Sequence, residues 1–248
     1  MKFVFLFVGF LACGGLALHS QDATPPAKTV PAKESSKEEG KAPPALTTYK
    51  GRTIAQTMHW TGAPWLWRKN REEEENGGLM QKQLEVKAGQ TVCDLGCGDG
   101  YHTLWMASEV GKTGKVYAVD IQKEMLEMLQ KRAAGRGFEN ITTVEGSAWD
   151  PKLPDNSQDL ILLVDVYHEF SHPEHMLKAM RKALKPEGRI ALVEFRAEDP
   201  KVPIKEEHKM TKEQILKEFP PMGFKLVKEF NDLPWQHMMF FARDDSEK

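Results

Sequence analysis

The sequence predicts an α/β fold built on a mostly parallel sheet with both faces covered. Three observations carry this reading. From Tyr49 onward, short apolar runs alternate with amphipathic helical segments. Most of those runs are continuously apolar instead of alternating, as strands are when neither face meets water. A glycine loop, Gly96-Cys97-Gly98-Asp99-Gly100, stands between the first long apolar run and a helical segment.

Taken in order, the strands fall at Thr91 to Leu95, Lys115 to Asp120, Ile141 to Glu145, Leu160 to Val166, Arg189 to Phe195, Phe224 to Phe230 and His237 to Ala242. Helices fit between them at Tyr101 to Val110, Gln122 to Ala134, Pro173 to Leu184 and Thr211 to Pro220. Pro173 suits a first helical turn, where no amide donor is needed. Thr211 with Gln214 three residues on forms a capping box. Lys185-Pro186-Glu187-Gly188 and Pro221-Met222-Gly223 stop helices ahead of strands. No internal repeat of fixed period is visible.

Composition limits the function. The 248 residues are 40% hydrophobic and 28% charged, an ordinary globular balance. Lys plus Arg total 34 against 36 Asp plus Glu, so no excess of positive charge invites nucleic acid. Three cysteines, Cys13, Cys93 and Cys97, are too few for a disulfide framework.

Lys2 is followed by an apolar stretch from Phe3 to Leu18, and the chain then turns polar, which is the layout of a signal peptide over residues 1–20. The stretch is shorter than the roughly 20 residues that span hydrocarbon, so no stable membrane span is expected beyond it. The expected location is outside the cytoplasm, periplasmic or secreted. Leu11-Ala12-Cys13-Gly14 also resembles a lipobox, so cleavage, lipidation at Cys13 and retention as an anchor all stand open. Residues 21–48, rich in Pro, Ala, Lys and Glu, read as a disordered linker. The folded domain is expected over 49–248, with 49–77 as a lid over the site or a hydrophobic plug; Met58 to Trp67 holds three tryptophans.

The glycines run G-x-G-x-G, and Tyr101 stands where a dinucleotide fingerprint has its third glycine, which weakens an NAD-dependent reductase reading. Asp120 ends the next strand about 20 residues on, where a carboxylate accepts ribose hydroxyls. Val92-Cys93-Asp94-Leu95-Gly96-Cys97-Gly98-Asp99-Gly100, Val116-Tyr117-Ala118-Val119-Asp120 and Leu184-Lys185-Pro186-Glu187-Gly188-Arg189 together resemble the class I S-adenosylmethionine-dependent methyltransferases, from about Gly78 to Arg243.

That resemblance implies a Rossmann-like sandwich: seven strands, mostly parallel, with an antiparallel last strand. It implies S-adenosyl-L-methionine as cofactor, with the glycine loop (Gly96, Cys97, Gly98) around its methionine part, Asp94 near the amino group and Asp120 on the ribose. Ile121, Ser147, Ala148 and Asp165 complete the cofactor candidates. Ser147 stands where many members have an Asp that accepts from the adenine amine, and Trp149 either covers the adenine or serves as a rim or core aromatic.

Ligands of open α/β sheets bind beyond the carboxyl ends of the strands. That edge gathers His168 and Glu169 after the fourth strand and Glu194 in the fifth, and the resemblance adds His237 from the antiparallel strand. Methyl transfer needs alignment of the acceptor and removal of its proton. His168 is the first choice for the base and His237 the second, with Glu169 or Glu194 orienting. A metal centre from His168, His208 and His237 with Glu169 or Glu194 has no short ligand spacing behind it, and none is expected. Glu206, Glu207 and Lys209 read as a solvated loop, Glu72 to Glu75 as a solvated helical face, and His102, His172 and His175 as surface residues. The expected activity is methyl transfer to a small molecule, by in-line displacement. An exported cofactor-binding module without catalysis is the alternative.

Overall fold

The computed structural model describes residues 42–246; the signal segment, Cys13 and the linker up to residue 41 lie outside the described residues. A short antiparallel pair, β1 (Thr48–Tyr49) and β2 (Arg52–Thr53), opens the described chain. A 3-10 helix follows over Trp60–Trp67, then α1 (Arg71–Glu75) and α2 (Gly77–Leu84). The alternating part comes next: β3 (Thr91–Leu95), α3 (Tyr101–Val110), β4 (Lys115–Asp120), α4 (Lys123–Ala134), β5 (Ile141–Glu145), β6 (Gln158–Val164), α5 (Pro173–Ala183) and β7 (Leu184–Phe195). It closes with α6 (Lys212–Glu218), β8 (Phe224–Phe230) and β9 (Gln236–Arg243).

Seven strands form one sheet in the order β5-β4-β3-β6-β7-β9-β8. The pairs among β3 to β7 are parallel, and β9 runs antiparallel to both β7 and β8. This is the Rossmann-like methyltransferase sheet that the resemblance implied. The central strands are largely apolar because both faces are covered. One core cluster holds Cys93, Ile161, Leu163, Leu192 and Phe241; another holds Val92, Leu160, Leu162, Ala191 and Phe240. Neighbouring residues of one strand enter opposite clusters, as the period of two requires.

The order of strands reverses between β3 and β6: β3 leads outward to β4 and β5, and the chain then returns to lay β6 on the other side of β3. Such a switch point leaves a crevice at the carboxyl ends of the strands. Residues 43–48 of the expected linker dock there. The amide of Leu46 donates to the Ser171 carbonyl at 2.9 Å, and a His172 ring nitrogen stands 2.8 Å from the Pro43 carbonyl. Backbone pairing of β1 with β2 holds a stretch too poor in apolar residues to bury itself. Among the described residues, no helix is long and apolar enough to cross a membrane.

Candidate active site

A cavity of about 770 Å³ opens at the switch point. Gly96 and Gly98 line one part of it together with Asp120 and Ile121, and His168 and Glu169 line another. Its volume lies toward the upper end of the roughly 300–1,000 Å³ typical of small-molecule sites.

The glycine loop is shaped by backbone that L side chains avoid. Gly96 has φ +75°, and a Cβ there would stand 2.3 Å from Val166 Cγ2; Gly98 has φ +53°, and a Cβ would stand 2.7 Å from Leu66 Cδ1. Asp120 then fixes the loop from below. Its Oδ2 accepts from the Gly98 amide and its Oδ1 from the Gln122 amide, both at 2.9 Å. A carboxylate oxygen has a second lone pair, so both remain able to accept from neighbouring hydroxyls.

Two residues on, the Gln122 side chain holds the segment above: it donates to the Met58 carbonyl at 2.9 Å and accepts from the Trp60 amide at 2.8 Å. Trp67 Nε1 donates to both oxygens of Asp99, at 2.7 and 2.9 Å, and Arg132 donates to the same carboxylate at 2.7 Å. Gln56, Thr57, Met58, Trp65, Leu66 and Arg71 thereby become cavity wall. The tryptophan-rich segment therefore covers the crevice; sequence reading left lid and plug level, because the period of a segment does not tell which face its neighbours lie on.

Asp165 follows β6 with φ +53° and is buried. Gln236 donates to its Oδ2 at 2.6 Å, while its Oδ1 has no partner among the described residues. Burial, with Glu75 and Glu194 nearby, pushes its carboxyl well above the usual range. Arg71 lies close by, buried, donating to Glu75 at 2.8 Å and to the Leu66 carbonyl at 2.7 Å.

The S-adenosylmethionine that the resemblance implies fits these walls. Asp120 is placed for the ribose hydroxyls. The unpartnered Asp165 Oδ1 suits the methionine ammonium, and the Arg71 guanidinium its carboxylate. Ile121, 47% exposed although apolar, offers a face to the base. Ser147 and Ala148 line the cavity as well, but the Ser147 hydroxyl is occupied by the Asp150 and Trp149 amides of its own turn. Trp149 does not line the cavity; its ring meets His172 edge-on at 5.8 Å, so it is no cover for the adenine. Asp94 and Cys97 are not walls either. Asp94 is buried and accepts from the Thr103 hydroxyl at 2.6 Å, and Cys97 belongs to an apolar cluster with Leu104, Leu126 and Leu129.

At the acceptor end, Glu194 is fully buried and organises His168. Its Oε1 accepts the Tyr167 amide at 2.8 Å, and its Oε2 stands 2.6 Å from His168 Nδ1. His168 Nε2 lies 3.1 Å from His208 Nδ1 and 4.0 Å from Glu169 Oε1. Burial alone would lower the His168 pKa, but the charge and hydrogen bond of Glu194 outweigh it and hold it above the ordinary value. His208 is lowered by burial and by His168. Burial pushes Glu169 up to about 7.

His237 is not brought to this group. It does not line the cavity; its Nε2 sits 2.8 Å from Glu198 and 3.1 Å from the Met210 carbonyl. Pairing opposite Glu194 across β7 and β9 brings the backbones together, but not the ring into the cavity. Three other readings are corrected. His102 and His172 are buried, Glu75 is buried against Arg71, and Lys209 is buried with an ion pair to Glu206. In each case a partner distant in sequence, or on an adjoining turn, compensates the buried polar group. Arg71 and His208 were the residues least visible in sequence; the one signal for Arg71 was Glu75 four residues on, a spacing that brings two side chains together on a helix.

Comparison with known proteins agrees with this fold. The methyltransferase domain family matches residues 86–236, more than half of the chain. The chain is 35% identical over 129 residues to an uncharacterised methyltransferase of Bacillus subtilis, covering 52% of this chain and 50% of that one. It is 36% identical over 111 residues to a ubiquinone/menaquinone biosynthesis C-methyltransferase of Escherichia fergusonii, covering 44% of each. Thus it spans about half the length of the curated relatives it matches. The crystal structure of a SAM-dependent methyltransferase from Aquifex aeolicus superposes with a TM-score of 0.71 at 22% identity, over 75% of this chain and all of that one. The chain belongs to the methyltransferase domain family, and its fold is that of a solved SAM-dependent methyltransferase.

Proposed function

We propose that this protein transfers the methyl group of S-adenosylmethionine to a small-molecule acceptor bound between the glycine loop and His168. The observation that carries the reading is the single cavity lined at once by Gly96, Gly98 and Asp120 and by His168 and Glu169. Bound cofactor supplies a methyl on a sulfonium, already joined to a good leaving group. The protein's work is therefore alignment and proton removal, and alignment is the larger share.

Asp120, Asp165 and Arg71 hold the cofactor by its ribose and its amino-acid end, and the segment from Gln56 to Arg71 covers it. Glu194 accepts from His168 Nδ1 and so presents Nε2, on the cavity wall beside His208, to take the acceptor's proton. As the acceptor's lone pair bonds to the methyl carbon, the carbon–sulfur pair returns to sulfur. The names of the relatives make ring-hydroxylated acceptors, phenols and quinols, the first class to try. The test is methyl transfer from labelled cofactor to a panel of phenols, quinols, amines and thiols. Transfer to at least one class, lost in His168→Ala with cofactor affinity kept, supports the reading. Tight cofactor binding with no transfer to any acceptor favours a binding module.

A further inference from the structure

We infer that His168, His208 and Glu169 form a binding site for a divalent transition-metal ion such as Zn²⁺ at the acceptor end of the cavity. His168 Nε2, His208 Nδ1 and a Glu169 carboxylate oxygen all lie within 4.8 Å of one another, and all three residues line the cavity. With ligand bonds of about 2.0–2.1 Å, the corners of a tetrahedral zinc site stand roughly 3.3 Å apart. The two ring nitrogens are already at 3.1 Å, and the carboxylate, at 4.0 Å from Nε2, closes the third corner by a small rotation.

Two independent features point the same way. Glu194 Oε2 stands 2.6 Å from the other nitrogen of His168, the carboxylate–histidine arrangement that fixes the tautomer and aims the free lone pair at a metal. The charges also call for a cation. Among the described residues, the ion-pair partner of both Glu194 and Glu169 is His168 alone, and the nearby Arg52 spends its guanidinium on Glu218 and on the His168 carbonyl. Two partly or fully buried carboxylates beside these two rings suit a bound cation.

Two histidines and one carboxylate leave a coordination position open, as in catalytic sites. That position suits an acceptor hydroxyl, which would lose its proton to solvent more readily on the ion and attack the methyl as an oxyanion. In the loaded enzyme His168 is a ligand, and the ion replaces it in acidifying the acceptor. This use of the ion rests on the methyl-transfer reading; binding of the ion does not.

The full chain, stripped with a chelator and free of cofactor, is titrated with Co²⁺ and followed by its visible absorption. We expect one equivalent to bind with the intense bands of a low-coordinate site, and Zn²⁺ to displace it. His208→Ala and the isosteric Glu169→Gln should each weaken binding at least about tenfold, while His237→Ala, outside the cavity, leaves it unchanged. Circular dichroism of each variant confirms folding. No Co²⁺ band, or equal affinity in wild type, His208→Ala and Glu169→Gln, overturns the site. Calorimetry with S-adenosylhomocysteine is run on the same stripped protein, so a protein that binds one ligand and not the other tells the two readings apart.

Discussion

Glu194 and His168 are joined at 2.6 Å across two strands, with Glu194 fully buried and its second oxygen held by the backbone amide next to His168. The carboxylate is thereby unable to turn away. Glu194→Gln keeps the shape and removes the charge that raises the His168 pKa. Turnover should fall by about 10²-fold or more, with cofactor affinity within a few-fold of wild type. Steady-state kinetics beside calorimetry checks this; unchanged turnover would remove Glu194 from the proton step.

Asp120→Ala should weaken S-adenosylmethionine binding by roughly 1–3 kcal/mol, because the ribose loses its acceptors and the Gly98 and Gln122 amides lose theirs. Equal affinity in the variant, by calorimetry, would place the ribose elsewhere.

At Gly98, any Cβ meets the methyl of Leu66 at 2.7 Å. Gly98→Val should therefore displace the covering segment as well as fill cofactor space. The expected result is loss of cofactor binding together with altered tryptophan emission, since Trp65 and Trp67 flank Leu66. Loss of binding with an unaltered spectrum would confine the effect to the loop.

Gln122→Ala removes both bonds that hold Met58 and Trp60 while leaving the Asp120 carboxylate in place. Each exposed or half-exposed bond of this kind contributes about 0.5–1.5 kcal/mol, so cofactor affinity should drop several-fold and protease should cut the 56–67 segment faster. Limited proteolysis with and without cofactor reads this directly.

Burial pushes the Asp94 carboxyl up to about 6, with the Thr103 hydroxyl acting against it. The folded state then holds this proton more tightly than the unfolded chain. Its contribution to stability is present at low pH, is lost as pH rises through the window between the ordinary carboxylate value and about 6, and does not change beyond it. At 1.36 kcal/mol per pKa unit, the loss is at most about 3 kcal/mol. Asp94→Asn escapes it, so its melting temperature relative to wild type should climb between pH 4 and 6. A constant difference would contradict the buried, proton-holding environment.

The alternating half of the chain was legible because its signals are local. β3, β4, β5 and β8 carry the bounds read from sequence, as does α3, each bounded by glycine or a polar turn. The remaining strands and helices that were read differ by a few residues, chiefly β7, which begins five residues earlier through Lys185-Pro186-Glu187-Gly188. Asp120 was legible for the same reason: its distance from the glycine loop is set by one helix and one strand. His208 and Arg71 were not. His208 reaches His168 across 40 residues of chain, and Arg71 reaches the cavity from a helix of five residues whose environment is made by α3 and by the loop after β6. The exclusion of His237 was equally invisible, since strand register places a residue beside a partner without telling which cavity its ring enters.

The covering segment lies outside the 86–236 stretch shared with other methyltransferases, yet its residues Gln56, Thr57 and Met58 wall the acceptor end while Leu66 and Arg71 wall the cofactor end. One stretch of chain thus serves two ligands. A substitution there that reshapes one part of the cavity also bears on the residues that wall the other part. Pro203, Ile204 and Lys205, in the loop between β7 and α6, add wall from outside that stretch, so substitutions there reshape the cavity without altering the covering segment.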